Sequence, residues 1–157
     1  MAQQIEVKRF TDVLFELLDE TFVQVHGNYL DKGTSLFETL ATISADEASR
    51  PVSATCASIA SQVEHVRFYV HVLERHLRGE TVEKIDWQAS WQITQVTDEE
   101  WQTLQQRLRD AYQSVLGVLK RFESWDGEED ISGALSILVH TAYHLGEIRQ
   151  ALCVVQR

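Results

Sequence analysis

The chain has 157 residues and a formal net charge of −10 at pH 7, with its 14 Lys and Arg residues scattered among 24 Asp and Glu residues. This length is that of one ordinary domain with a proper core, so we expect a single domain over residues 1–157. A nucleic-acid partner needs clustered basic side chains, and their scatter here predicts no nucleic-acid binding.

A membrane partner is also not expected. No apolar run approaches the ~18 residues of a membrane span, and the first ten residues, MAQQIEVKRF, contain no apolar signal stretch. We therefore expect a cytoplasmic location.

The first predicted helix runs from about Val7 to Val25, with His26 and Gly27 marking its end. Apolar residues recur along it at spacings of three and four, which is typical of an amphipathic helix. The apolar face contains Phe10, Val13, Leu14, Leu17, Leu18, Thr21 and Phe22, and the acidic face contains Asp12, Glu16, Asp19 and Glu20.

A long connection follows, and it is too rich in helix signals to be a plain loop. Ser35 precedes Glu38 by three residues, and Ser44 precedes Glu47 by three. Each pair fits a capping box, in which a hydroxyl and a carboxylate bind free backbone N–H groups at a helix start. We predict one or two short helices, ended before Pro51.

The second long helix is predicted from about Ser53 to Leu77, ended by Gly79. A loop containing Trp87 and Trp91 comes next, and it packs over the core, lines a substrate pocket or joins a dimer interface.

The third long helix is predicted from Thr97 to about Trp125, and the fourth from about Ile131 to Val155. No segment alternates apolar and polar residues as a strand would. Four amphipathic helices bury their apolar faces most simply in an all-α, four-helix bundle. The sequence leaves the order of the helices in the bundle open.

Two cysteines, Cys56 and Cys153, lie in segments predicted to be helical. Two cysteines are too few for a disulfide scaffold. We expect free thiols in a reducing compartment, packed as small apolar residues.

A pair of histidines, His140 and His144, stands four residues apart in the last predicted helix. Residues four apart lie one turn from each other on nearly the same face, so two imidazoles can direct one nitrogen each to a common metal ion. The alternative is a pair of surface histidines with partners on a neighbouring helix. The zinc-protease pattern is excluded because Thr141 stands where the general-base Glu would be.

A metal site needs at least a third ligand, and the second helix offers three histidines. His71 is expected to face water, and His76 lies near the helix end between two arginines, which disfavours a cation. His65 lies at the edge of the apolar stripe and is the predicted ligand. His26 instead closes the first helix, where an imidazolium favours the helix C-terminus.

The segment SIASQVEHVRFYVHVLERHLRG, followed some seventy residues later by HTAYHLGEIRQAL, resembles the DinB superfamily of damage-inducible, metal-binding four-helix proteins. The resemblance covers essentially the whole chain. His65 takes the position of the family's histidine on the second long helix, and His140 and His144 take those of its His-x-x-x-His pair. Gly146 matches the following glycine, but Glu147 stands where many relatives have Gln.

This resemblance implies a divalent metal, zinc or nickel, held by His65, His140 and His144, and a homodimer. It also implies an enzyme that uses the metal to activate a low-molecular-weight thiol or water against a small electrophilic substrate, by thiol transfer or hydrolysis. Glu147 is expected to orient a ligating histidine or to act as a base, and the catalytic residues stay unassigned. The alternative is a non-enzymatic stress-response dimer whose metal is absent or structural.

Overall fold

The computed structural model describes residues 5–157. Over this range the chain folds into six α-helices and one 3-10 helix, with no strand, which confirms the all-α prediction. The helices are α1 (Val7–Phe22), α2 (Leu36–Leu40), α3 (Ala45–Ser49), α4 (Ile59–Leu77), the 3-10 helix (Trp87–Trp91), α5 (Asp98–Leu119) and α6 (Asp130–Val155).

The four long helices contribute to one hydrophobic core. Helix α4 packs against α5, α6 and the 3-10 helix, and α1 packs against α6. Core residues from these helices include Leu18, Phe22, Val66, Leu108 and Ile148. Because α4 and α6 lie side by side, the histidines of one helix can meet those of the other.

The three helix starts that the sequence marks with capping boxes are present. Capping boxes begin at Ser35, Ser44 and Thr97, each with both reciprocal hydrogen bonds in place. The connection between α1 and α4 therefore contains two short helices. After α4, Gly79 adopts a φ of 72°, a left-handed conformation that glycine adopts without steric cost and that commonly ends a helix.

Three predicted helix ends were wrong. Helix α4 begins at Ile59 and not at Ser53, because the Ser58 hydroxyl accepts a hydrogen bond from the Ser61 N–H and caps the helix there. Helix α5 ends at Leu119, six residues before Trp125. The Trp125 side chain instead packs edge-on against Phe10 of α1, with ring centroids 5.4 Å apart.

Helix α1 ends at Phe22 and not at Val25, and the placement of Glu20 on the solvent-facing side was also wrong. Glu20 is fully buried. Its carboxylate accepts hydrogen bonds from the backbone N–H groups of Asn28, Tyr29 and Leu30 at 2.8–2.9 Å. The chain after Phe22 therefore leaves the helix and folds back around this carboxylate.

Other predicted positions need the same correction. Val13 and Leu135 were placed on apolar inward faces, but they are 52% and 40% exposed. Cys56 lies outside the helices and Cys153 on α6, and both thiols are exposed, so neither packs as a small apolar residue.

Within residues 5–157, no helix has the combination of length and apolar composition that crossing a bilayer requires.

Candidate metal centre

Three histidines from two helices converge at one point. His65 lies in the first half of α4, and His140 and His144 lie one turn apart in the middle of α6. One ring nitrogen of each lies within 4.8 Å of the others, and the Nε2 atoms of His65 and His140 are 3.1 Å apart. The structure thus brings together the three residues named from the sequence.

The remaining histidines lie apart from this group. His71 is exposed, as expected. His76 has Glu129 at 3.8 Å, so its surroundings are less positive than its neighbours in sequence indicated. His26 lies beyond the end of α1, where its Nε2 is 2.6 Å from the Asp19 carboxylate, and this hydrogen bond raises its pKa.

The hydrogen position on His65 is fixed by the 3-10 helix. The Ser90 hydroxyl donates to the Trp87 carbonyl at 2.7 Å, so its oxygen is left to accept from His65 Nδ1 at 2.8 Å. With the hydrogen on Nδ1, the Nε2 atom of His65 keeps its lone pair. This is the tautomer in which Nε2 can bind a metal.

His144 is oriented in the same way by acceptors on its far side. Its Nδ1 lies 2.9 Å from the Glu147 carboxylate and 3.4 Å from the side-chain oxygen of Gln62. Both partners accept hydrogen bonds, so Nδ1 carries the hydrogen and Nε2 presents a lone pair. Partners of this kind fix the ring and raise the basicity of ligating histidines in metalloproteins.

His140 is held mainly by stacking. Its ring lies parallel to that of Tyr69, with an angle of 8° and centroids 3.6 Å apart. Its Nδ1 is buried without a hydrogen-bond partner, and its Nε2 faces His65. A buried polar atom without a partner is rare in folded proteins, so His140 Nδ1 lacks a hydrogen bond that such an atom normally makes.

All three imidazoles are neutral near pH 7. Burial, together with the repulsion that protonated neighbouring histidines would exert, lowers the pKa of His65 to about 4 and that of His140 to about 3. Burial also lowers the pKa of His144, although the Glu147 carboxylate opposes the shift. Neutral imidazole is the form that binds metals, so protons compete weakly for these atoms.

The geometry fits a transition-metal ion. Two nitrogens that each lie about 2.1 Å from a tetrahedral ion are roughly 3.4 Å apart. The 3.1 Å between the Nε2 atoms of His65 and His140 is close to this value, and a ring nitrogen of His144 lies within 4.8 Å of both residues' ligand atoms. The group could therefore hold a divalent metal ion through three neutral nitrogens.

Aromatic rings form the outer wall of the centre. Trp91 stacks on His65 with centroids 4.0 Å apart, and the Trp87 ring lies further away at 6.5 Å. On the other side, His140 lines an open depression of about 470 Å³ together with Tyr69 and Val139. The histidines are thus covered on the Trp91 side, and a small molecule can approach them through the depression beside His140.

Sequence reasoning missed three residues of this site. Gln62 and Tyr69 lie three residues before and four residues after His65, so helical spacing could have placed them beside it. Ser90 had no signal, because it comes from a separate segment whose position depends on packing. Glu147 was named, and it contacts His144 as one of its two predicted roles requires.

We compared the chain with protein-family models, curated proteins and solved structures, and none of them matches it.

Proposed function

We propose that this chain is a DinB-like, divalent-metal-binding protein whose long helices α1, α4, α5 and α6 form a four-helix bundle. The shared core of these four helices supports the bundle, with α2 and α3 in the connection between the first two. The observation that carries the proposal is the convergence of His65, His140 and His144, with ligand nitrogens no more than 4.8 Å apart.

In this proposal His65, His140 and His144 hold zinc or nickel through Nε2 atoms. Three neutral ligands leave the full charge of the ion and open coordination positions. A bound divalent ion stabilises the anionic form of a thiol or of water, which supplies a nucleophile at neutral pH. The reaction is thiol transfer to a small electrophile, or hydrolysis.

The chain's own groups have two tasks in this reaction. Ser90 and Glu147 keep the Nδ1 hydrogens of His65 and His144 in place, which keeps both Nε2 lone pairs directed at the ion. Glu147 is also within reach of the open surface, because its side chain is 41% exposed. In this proposal it accepts a proton from an incoming thiol or water.

Metal analysis tests the site directly. We expect purified protein to bind one equivalent of Zn²⁺ or Ni²⁺ and the His144→Ala variant to lose it. His71→Ala is the matched control, since His71 lies on α4 but is exposed and away from the group. Equal metal content in His144→Ala and in the control would contradict the proposed metal centre.

Turnover is tested separately. Metal-loaded protein is incubated with an electrophile and a panel of cellular thiols, and thiol consumption is followed. Metal-dependent consumption that is absent from His144→Ala supports an enzyme, whereas no turnover with any thiol supports the second candidate function.

The second candidate is a non-enzymatic dimer with a structural metal. It is favoured by the Trp91 ring, which covers His65 by stacking at 4.0 Å. Replacing Trp91 by Ala separates the two candidates. If Trp91 covers a structural metal, the variant should have a lower melting temperature and weaker metal retention. If Trp91 instead lines the substrate site, the variant should have a changed KM with metal retention intact.

We also propose a homodimer that forms along α6. Its residues Ile131, Leu135, Val139 and Tyr143 recur every four residues, and each is more than a third exposed. Such a continuous apolar stripe on a helix surface is typical of a protein interface. Leu135, Val139 and Tyr143 also line the depression beside His140, so in this dimer the partner subunit forms a wall of that depression.

A further inference from the structure

A second groove lies beside His144, and Tyr143 lines both this groove and the depression at His140. The groove encloses about 660 Å³. Its lining includes Gln62, Trp91 and Glu147, which also contact the histidine group. A molecule in this groove is therefore in contact with residues that hold His65 and His144.

The groove has an unbalanced charge. Glu147 is its one Asp, Glu, Lys or Arg among the described residues that line it. The basic residues nearest in sequence point elsewhere: Arg50 lines another depression together with Asp46, and Arg149 donates to the Thr39 hydroxyl. A negative groove on a chain of net charge −10 repels anions and attracts cations.

The other groups in the groove suit an amine with an apolar body. Trp91 and Tyr143 supply aromatic rings, and Val52 adds an aliphatic side chain. A carboxylate near an aromatic face is a common site for an ammonium group, which is attracted by both. Glu147 accepts from His144 through Oε2 and also interacts with the Tyr143 hydroxyl, and a carboxylate with these two partners still has lone pairs to accept from a ligand.

We propose that this groove binds a small molecule with a cationic amine, placing the ammonium at Glu147 and the apolar part against Trp91. Small carboxylate-bearing molecules bind poorly, because they meet Glu147 with no cation to balance them. The inference adds a ligand class to the proposed function. It is tested on metal-free protein, so its result does not depend on whether the metal centre is correct.

The exposed thiol of Cys56 lines the same groove and serves as a reporter. In a Cys153→Ser background, the rates of Cys56 modification by 2-aminoethyl and 2-sulfonatoethyl methanethiosulfonate are compared at low salt. The same two rates are measured for Cys153 in a Cys56→Ser background. We expect the ratio of the cationic to the anionic rate to be several times higher at Cys56 than at Cys153. We expect Glu147→Gln to lower the Cys56 ratio about fivefold, the size expected for one charge at short range in water.

Glu147→Gln keeps one oxygen that can accept from His144 and removes the negative charge with little change in size. Its matched control is Glu123→Gln, which removes the same charge from an exposed position outside the groove. Equal rate ratios at the two cysteines, or equal ratios in the two Glu→Gln variants, would overturn the inference.

Ligand protection provides the second arm of the experiment. We expect 2-phenylethylamine to slow the reaction of Cys56 with the neutral reagent iodoacetamide, and phenylacetate at the same concentration to leave it unchanged. Protection by the amine should disappear in Glu147→Gln and persist in Glu123→Gln. Equal protection by the two compounds, or protection by neither, would contradict a groove selective for amines.

Discussion

The Nε2 atoms of His65 and His140 lie 3.1 Å apart, although the two residues are 75 positions apart in the sequence. At this distance two lone pairs cannot face each other, so a hydrogen or a cation must lie between them. Ser90 holds the His65 hydrogen on Nδ1. Without metal, His140 must therefore donate from Nε2, and metal binding must move that hydrogen to its Nδ1.

This relationship predicts a tautomer change that nitrogen NMR can detect. In metal-free protein we expect His65 with its hydrogen on Nδ1 and His140 with its hydrogen on Nε2. Zinc should convert His140 to the Nδ1–H form and leave His65 unchanged. A His140 that keeps its Nε2 hydrogen in zinc-saturated protein would show that it is not a ligand through that atom.

The contact between Ser90 and His65 predicts weaker metal binding in Ser90→Ala. The variant removes the acceptor of the Nδ1 hydrogen, and loss of such a partner typically reduces metal affinity about 10-fold or more. Competition titration with a chromophoric chelator measures this change. Ser132→Ala, an exposed serine on α6, is the control and should keep the wild-type affinity.

The lowered histidine pKa values predict metal binding that persists in mild acid. Three histidines with an ordinary pKa of 6.5 would lose about 50-fold in affinity between pH 7.5 and pH 6, because protons would occupy their nitrogens. Here burial lowers the pKa of His65 to about 4 and of His140 to about 3, so both stay unprotonated over this range. Only His144, whose pKa burial also lowers, is left to compete with protons, so we expect a loss below about fourfold. A 50-fold loss would show ordinary, solvated histidines.

Glu20 predicts a separate acid-sensitive contribution to stability. Hydrogen bonds from the 28–30 segment lower its pKa to about 2, although burial opposes the shift. A carboxyl whose pKa is lower in the folded than in the unfolded state stabilises the fold above about pH 4.5, and the contribution is lost as the pH falls toward 2.

The test of this contribution is Glu20→Gln. We expect a loss of about 3 kcal/mol in the free energy of unfolding at pH 7, because backbone donors lose a charged acceptor and meet an amide hydrogen. The variant should also depend less on pH between 4.5 and 2 than wild type. Urea unfolding at several pH values measures both, and parallel pH curves would contradict this account of Glu20.

The exposed stripe on α6 predicts that Val139→Asp prevents dimer formation. Val139 is 64% exposed, so the substitution should leave the monomer folded while placing a charge in the centre of the stripe. Sedimentation velocity should show a shift from dimer to monomer. Thr103→Asp, at an exposed position on α5, adds the same charge and should remain dimeric. An unchanged dimer in Val139→Asp would place the interface elsewhere.

Much of the helical framework and the choice of histidines followed from local patterns. Capping boxes at Ser35, Ser44 and Thr97 are formed within four residues, so the local sequence alone determines them. The pairing of His140 with His144 likewise depends only on the helical repeat. His65 could be chosen because an amphipathic helix shows which of its residues border the core.

What only the tertiary structure decided depends on contacts between segments far apart in sequence. The position of α4 against α6 brings His65 to His140, and the 3-10 helix brings Ser90 to His65. Glu20 looks like a surface residue by its spacing, but it is buried because a later segment folds onto it. Helix periodicity determines which side of a helix a residue occupies, whereas packing energy determines which sides are covered, and by what.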